Sequence, residues 1–84
     1  MPLRDGWAPE TLLAEAQRVW RDAVGEMIAG EAGPVSERAG VLTVSCSSAV
    51  WANELDLMAL EIIARLNEHL GAGKVRRLRC ITAT

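Results

Sequence analysis

Lys74, Arg76, Arg77 and Arg79 place four positive charges within six residues near one end of an 84-residue sequence. Side chains of this type at this spacing can neutralise successive phosphates and release the counterions held there. The rest of the chain pulls the other way: residues 1–73 hold five basic and eleven acidic groups, and the whole sequence carries a net charge of −2. Overall charge thus argues against tight nucleic-acid binding, and the basic segment is the one candidate phosphate strip. Its plain structural alternative is a solvated edge strand whose charges discourage sheet-to-sheet aggregation.

Other reactive residue types do not assemble into a catalytic pattern. Cys46 and Cys80, with His69, lack metal-ligand spacing, and two cysteines are too few for a disulfide framework. Each cysteine sits in an alternating segment, Cys46 in phase with Leu42 and Val44, Cys80 in phase with Leu78, which predicts free thiols packed in a core. Glu54, Asp56, Glu61 and Glu68 mostly fall on the polar side of a helix, with Glu61 spaced to pair with Arg65. Gly30-Glu31-Ala32-Gly33 has the letters of a GxxG nucleic-acid loop but carries an acid and leads into a strand. Gly71-Ala72-Gly73-Lys74 follows a helix, precedes a strand and lacks a Ser or Thr after the lysine, so it reads as a loop and not as a phosphate cradle. No enzyme, cofactor or metal site is expected.

The elements that would position these residues follow from periodicity. Leu12, Ala16, Val19, Trp20, Ala23 and Met27 repeat at the spacing of one helical face, predicting a first helix from Pro9 to about Val24, with a bend near Gly25 before Glu26–Ala29. Pro9 and Glu10 suit a first helical turn. PVSERAGVLTVSC reads as an antiparallel hairpin, its two runs separated by Arg38-Ala39-Gly40 and its second strand alternating Leu42, Val44 and Cys46 against Thr43 and Ser45. Ser47 or Ser48 is expected to cap a second helix, whose single stripe runs Trp51, Leu55, Met58, Ala59, Ile62, Leu66 and Leu70 and stops at Gly71. Val75–Thr82 alternates again, with Arg77 and Arg79 on one face and Leu78 and Cys80 on the other. The expected fold is α+β, a two-layer sandwich of αββαβ order with two helices covering one face of a three-stranded sheet.

Half the residues are apolar and 24% are charged, a globular composition, and no apolar run reaches the ~18–20 residues of a membrane span. The N-terminal MPLRDGWAPE has no apolar stretch of a secretory signal, so a cytoplasmic location is expected. A chain this short buries a small core, which favours a binding module over an enzyme cleft. Residues 1–8 read as a flexible segment and 9–82 as one domain. Of three tryptophans, Trp20 lies in the first helical stripe and is expected in the core, and Trp7 falls in the N-terminal segment. Trp51 begins the second stripe at the edge of the two layers: mainly core, with an outer edge available as a partner anchor.

The ordered series Val19-Trp20 through Val24-Gly25, Gly33-Pro34-Val35, Gly40-Val41-Leu42-Thr43-Val44, Ser48 through Trp51-Ala52-Asn53-Glu54-Leu55, Leu66-Asn67 and Val75-Arg76-Arg77-Leu78-Arg79 resembles the bacterial DciA family over residues 9–82. The resemblance implies a KH-like fold. It also implies a role in DNA replication, in which members bind the replicative DNA helicase and assist its loading onto single-stranded DNA without an ATPase of their own. Many members carry a basic, disordered tail beyond this domain. On this reading Trp51, Arg76, Arg77 and Arg79 are candidate partner-binding residues. Lys74, Arg76, Arg77 and Arg79 are candidates for weak single-stranded DNA contact. A KH-like nucleic-acid module using the third strand is the alternative, and the unpaired edge strands offer a route to self-association.

Overall fold

A computed structural model describes residues 11–82. Trp7, Pro9, Glu10 and the expected flexible segment 1–8 lie outside the described residues. The first helix starts later than its periodicity suggests because Thr11, in extended conformation, is its cap: the hydroxyl accepts a hydrogen bond from Ala14 N at 3.1 Å. Helix α1 (Leu12–Val24) ends at Gly25, whose φ of 95° breaks the helical path, and the chain resumes as the short α2 (Glu26–Glu31). The bend expected at Gly25 is thus a full break, bridged by an ion pair between Arg21 and Glu26.

Strand β1 (Ala32–Arg38) follows directly and pairs antiparallel with β2 (Val41–Cys46), so the expected hairpin is present, with its first strand reaching further back than the apolar run implies and with Arg38 paired to Val41 inside the strand instead of in the turn. Both turn residues have positive φ, Ala39 at 52° and Gly40 at 84°, the requirement of a tight two-residue hairpin. Gly40 meets it without strain; Ala39 does not. Replacing Ala39 with Asn, which tolerates this region, is expected to stabilise the domain by about 0.5–1 kcal/mol, read as a higher chemical-denaturation midpoint at unchanged slope.

The second helix departs from expectation. In place of one helix there are two, α3 (Ala49–Leu57) and α4 (Ala59–Leu70), separated at Met58 with φ −98° and ψ 11°. Ser48 caps α3, accepting from Trp51 N at 3.3 Å. A single helix of that length would run about 33 Å, against roughly 20 Å for a six-residue strand, and a straight rod would overhang the sheet. The break lets α3 lie on β2 and β3 (Arg77–Thr82) while α4 packs on α1. The stripe itself is continuous across the break: Leu55, Ile62 and Leu66 are all buried.

The sheet order is β1-β2-β3, with β2 central and parallel to β3. The architecture is the expected two-layer α+β sandwich, its αββαβ order becoming ααββααβ once the two breaks are counted. Leu42, Val44 and Cys46 of β2 and Leu78 of β3 face the helices and meet Ala16, Trp20, Ala23, Leu55, Ile62, Leu66 and Val75 in one core. Trp20 is 4% exposed, and its indole Nε1 donates to Ala32 O at 2.7 Å, while Gln17 Nε2 donates to Pro34 O at 3.1 Å. Helix α1 therefore covers carbonyls of the edge strand β1, satisfying acceptors that would otherwise invite another chain.

The start of β3 is fixed by two devices. The Gly40 carbonyl accepts from both Arg76 N (2.8 Å) and Arg77 N (3.2 Å), tying the hairpin tip to the third strand. The side-chain amide of Asn67 on α4 brackets Val75, donating to its carbonyl at 3.0 Å and accepting from its N–H at 2.8 Å. Val75 is buried as a result, and the regular strand begins at Arg77, two residues after the alternating run suggests.

Candidate nucleic-acid and partner interface

One face of the sheet has no helix against it, and the register of the three strands decides what it presents. Arg38, Val41 and Arg77 lie opposite one another in one row across the sheet; Ser36, Thr43 and Arg79 form the next. Residues directly opposite share a face, so Arg38, Arg77 and Arg79 stand together on the open side. Adjacent strands are about 4.8 Å apart and alternate residues about 6.5 Å apart, which sets Arg77 and Arg79 at roughly the phosphate spacing of a single strand and Arg38 about 10 Å across from Arg77. The face is shallow: a basin of about 440 Å³ is lined by Ser36, Arg38, Ala39, Val41, Thr43 and Arg79, and a neighbouring hollow by Ala39, Val41, Arg76 and Arg77. Such shallow relief suits a backbone or a protein surface better than an enclosed small molecule.

The charge is segregated by layer. The four helices carry Glu15, Asp22, Glu26, Glu31, Glu54, Asp56, Glu61 and Glu68 against Arg18, Arg21 and Arg65. The strands and the loop before β3 carry Arg38, Lys74, Arg76, Arg77 and Arg79, with Glu37 as the one described acid. Glu37 does not reach the open face: it pairs opposite the buried Leu42, and its carboxylate accepts from Gly40 N at 2.8 Å. A molecule with a small net negative charge thus keeps one positive side.

Of the residues singled out from sequence, Arg77 and Arg79 lie together on this face, and Arg76 borders it with its side chain packed over Gly40, where an added Cβ would come within 2.8 Å of Arg76 Cδ. Lys74 is exposed in the preceding loop and does not line either hollow. Arg38 was not singled out. Its signal was the hairpin register, which brings it beside residues about forty positions away. Trp51 is elsewhere: it lies on α3, partly buried and packed against the core. Glu61 and Arg65 form the expected pair at 2.8 Å, an exposed contact contributing about 0.3–0.5 kcal/mol. His69 lies in the last turn of α4.

The two cysteines lie on β2 and β3, Cys46 fully buried and Cys80 half-buried. Burial pushes the Cys80 thiol up to about 11, helped by the nearby Cys46 and Asp56 charges and by a hydrogen bond with Cys46. Burial likewise raises Cys46, partly offset by its hydrogen bond with Cys80. These are poor nucleophiles at neutral pH. At pH 8 the thiolate fraction of Cys80 is about a hundredfold below that of an ordinary thiol, so iodoacetamide labelling should be slow in the folded protein and fast in denaturant. Because the folded state keeps the Cys80 proton to higher pH, the associated stability is complete below about pH 9 and is lost as pH rises toward 11. Among the described residues no group of His, Cys, Asp and Glu is arranged to hold a metal ion, and no helix is long and apolar enough to cross a membrane.

The described residues thus form a small α+β domain with a basic open sheet and a mostly acidic helical layer. Comparison with known proteins gives the family. A family model described as "Dna[CI] antecedent, DciA" matches residues 2–80, and the chain belongs to the DciA family. Among curated relatives it is similar to a UPF0232 protein of Streptomyces avermitilis, 41% identical over 76 residues, which takes in 88% of this chain and 42% of the relative. A UPF0232 protein of Rhodococcus jostii is 38% identical over 74 residues, 88% of this chain and 39% of the relative. A UPF0232 protein of Streptomyces coelicolor is 36% identical over 78 residues, 90% and 41% respectively. The chain spans about two fifths of the length of these relatives.

Proposed function

We propose that this domain is a non-enzymatic adaptor of bacterial DNA replication: it binds the replicative DNA helicase in the cytoplasm and assists its loading onto single-stranded DNA. The observation that carries the reading is membership of a family described as the antecedent of DnaC and DnaI, matched over nearly the whole chain. The geometry is compatible with that role, because it offers shallow surfaces of opposite charge. An adaptor needs only to bind one conformation of its partner more tightly than another; no covalent step is required. Trp51 and the arginines of β3 are the candidate contacts. The test is a loading assay in which the helicase is offered single-stranded DNA coated with single-strand-binding protein. Faster helicase engagement with this chain present supports the proposal; an unchanged rate at saturating chain removes it.

A second reading is favoured by the convergence of Arg38 with Arg77 and Arg79. The open sheet then contributes weak phosphate contacts to a single strand, with Arg76 at its border and Lys74 before it. Changing Arg38, Arg77 and Arg79 to Ala should weaken oligonucleotide binding at every sequence and flatten the dependence of log K on log salt by about 0.7 per lost phosphate contact, roughly 2 in total. Fluorescence anisotropy over a salt series reads this directly. A slope unchanged by the triple substitution would assign any DNA affinity to another surface. Self-association through the edge of β3 is a further reading of the partner surface, checked by solution mass at micromolar concentration.

A further inference from the structure

Helices α3 and α4 leave a second surface that the open sheet does not explain. Val50, Leu57 and Leu60 are 70%, 76% and 84% exposed. Val50 and Leu57 are seven residues apart and lie on one exposed stripe of α3; Leu60 follows just past the break at Met58. The acids share this ridge. Glu54 stands between Val50 and Leu57 at helical spacing and Glu61 follows Leu60, both exposed; Asp56, also exposed, turns off the ridge toward Cys80. The described base alongside them on these two helices is Arg65, already paired with Glu61.

We infer that this ridge docks a partner helix presenting aliphatic side chains flanked by lysine or arginine. Adjacent large aliphatics at this exposure supply the apolar anchor, and the acids supply the complement for a basic rim. A second copy pairing ridge to ridge is the wrong occupant, since it would bring Glu54 and Glu61 against their own kind. The inference rests on the adaptor reading in taking the helicase as the natural bearer of that helix, but its chemistry is testable apart from it.

The test is calorimetric titration of the helicase with wild type, with Leu57→Ser/Leu60→Ser and with Glu54→Gln/Glu61→Gln, each first shown to be folded by circular dichroism. The aliphatic pair should weaken binding at least tenfold at every salt concentration. The acid pair should weaken it several-fold at low salt and remove most of the salt dependence. Wild-type affinity in both variants would overturn the ridge while leaving the adaptor reading standing. If the wild type does not bind the helicase at all, the adaptor reading fails and the ridge is tested with two synthetic helical peptides, identical in their leucines and flanked by Lys in one and Glu in the other. Amide shifts around residues 50–61 with the Lys peptide only, abolished by Leu57→Ser/Leu60→Ser, support the inference. Equal response to both peptides, or self-association lost on the same substitution, contradicts it.

Discussion

Replacing Trp20 with Ala is expected to cost about 3–5 kcal/mol and to leave the domain largely unfolded at 25 °C. The ring is the largest side chain in the core, and Ala would leave a cavity between α1, the sheet and α4 that so small a structure has little means to refill. The loss is more than volume. The indole N–H satisfies the buried Ala32 carbonyl at 2.7 Å, at the point where α2 passes into β1. Trp20→Phe separates the two contributions: it keeps most of the apolar bulk, removes the donor and should cost roughly 1–3 kcal/mol, the range for an unmade buried hydrogen bond. Urea denaturation followed by circular dichroism reads both. A Phe variant as damaged as the Ala variant would mean that the hydrogen bond, not the packing, dominates.

The second large effect concerns Asn67. Its amide holds both backbone groups of Val75, and only an amide offers a donor and an acceptor in that arrangement. Asn67→Asp keeps shape and the acceptor but turns the donor into a carboxylate oxygen facing the Val75 carbonyl, with an expected loss of about 2–3 kcal/mol. The consequence reaches function because Val75 leads into the Arg76–Arg77 corner held by Gly40. Loosening it should make the amides of residues 74–77 exchange with solvent much faster than those of β2. Exchange unchanged at those positions would show that Gly40 alone holds the strand in place.

These two contacts mark where sequence reading stops. The strands announce themselves through alternation, Leu42/Val44/Cys46 and Leu78/Cys80, and Trp20 through its helical stripe, because each pattern records which side of one local element meets the core. A cap at Ser47 or Ser48 and a bend near Gly25 were legible for the same reason: both act within a few residues. Asn67 and Gln17 were not, since a side chain bonding to a distant backbone group leaves no periodic trace. The parallel pairing of β3 with β2 is likewise non-local, and with it went Arg38, which joins Arg77 only through strand register. The break at Met58 was hidden by an apolar stripe that continues through it. Of the candidate site, the β3 arginines were readable from charge clustering, while the open face they occupy and the aliphatic ridge on the opposite layer required the fold.

The measurement closest to the central claim is calorimetric titration of this chain into the replicative helicase of the same organism, at low and moderate salt, with a single-stranded oligonucleotide titrated in parallel. The adaptor account predicts saturable helicase binding with a defined stoichiometry that persists at moderate salt, and at most weak, salt-sensitive heat from the oligonucleotide. Helicase that gives no heat and no complex by solution mass, beside an oligonucleotide bound tightly through Arg38, Arg77 and Arg79, would contradict it.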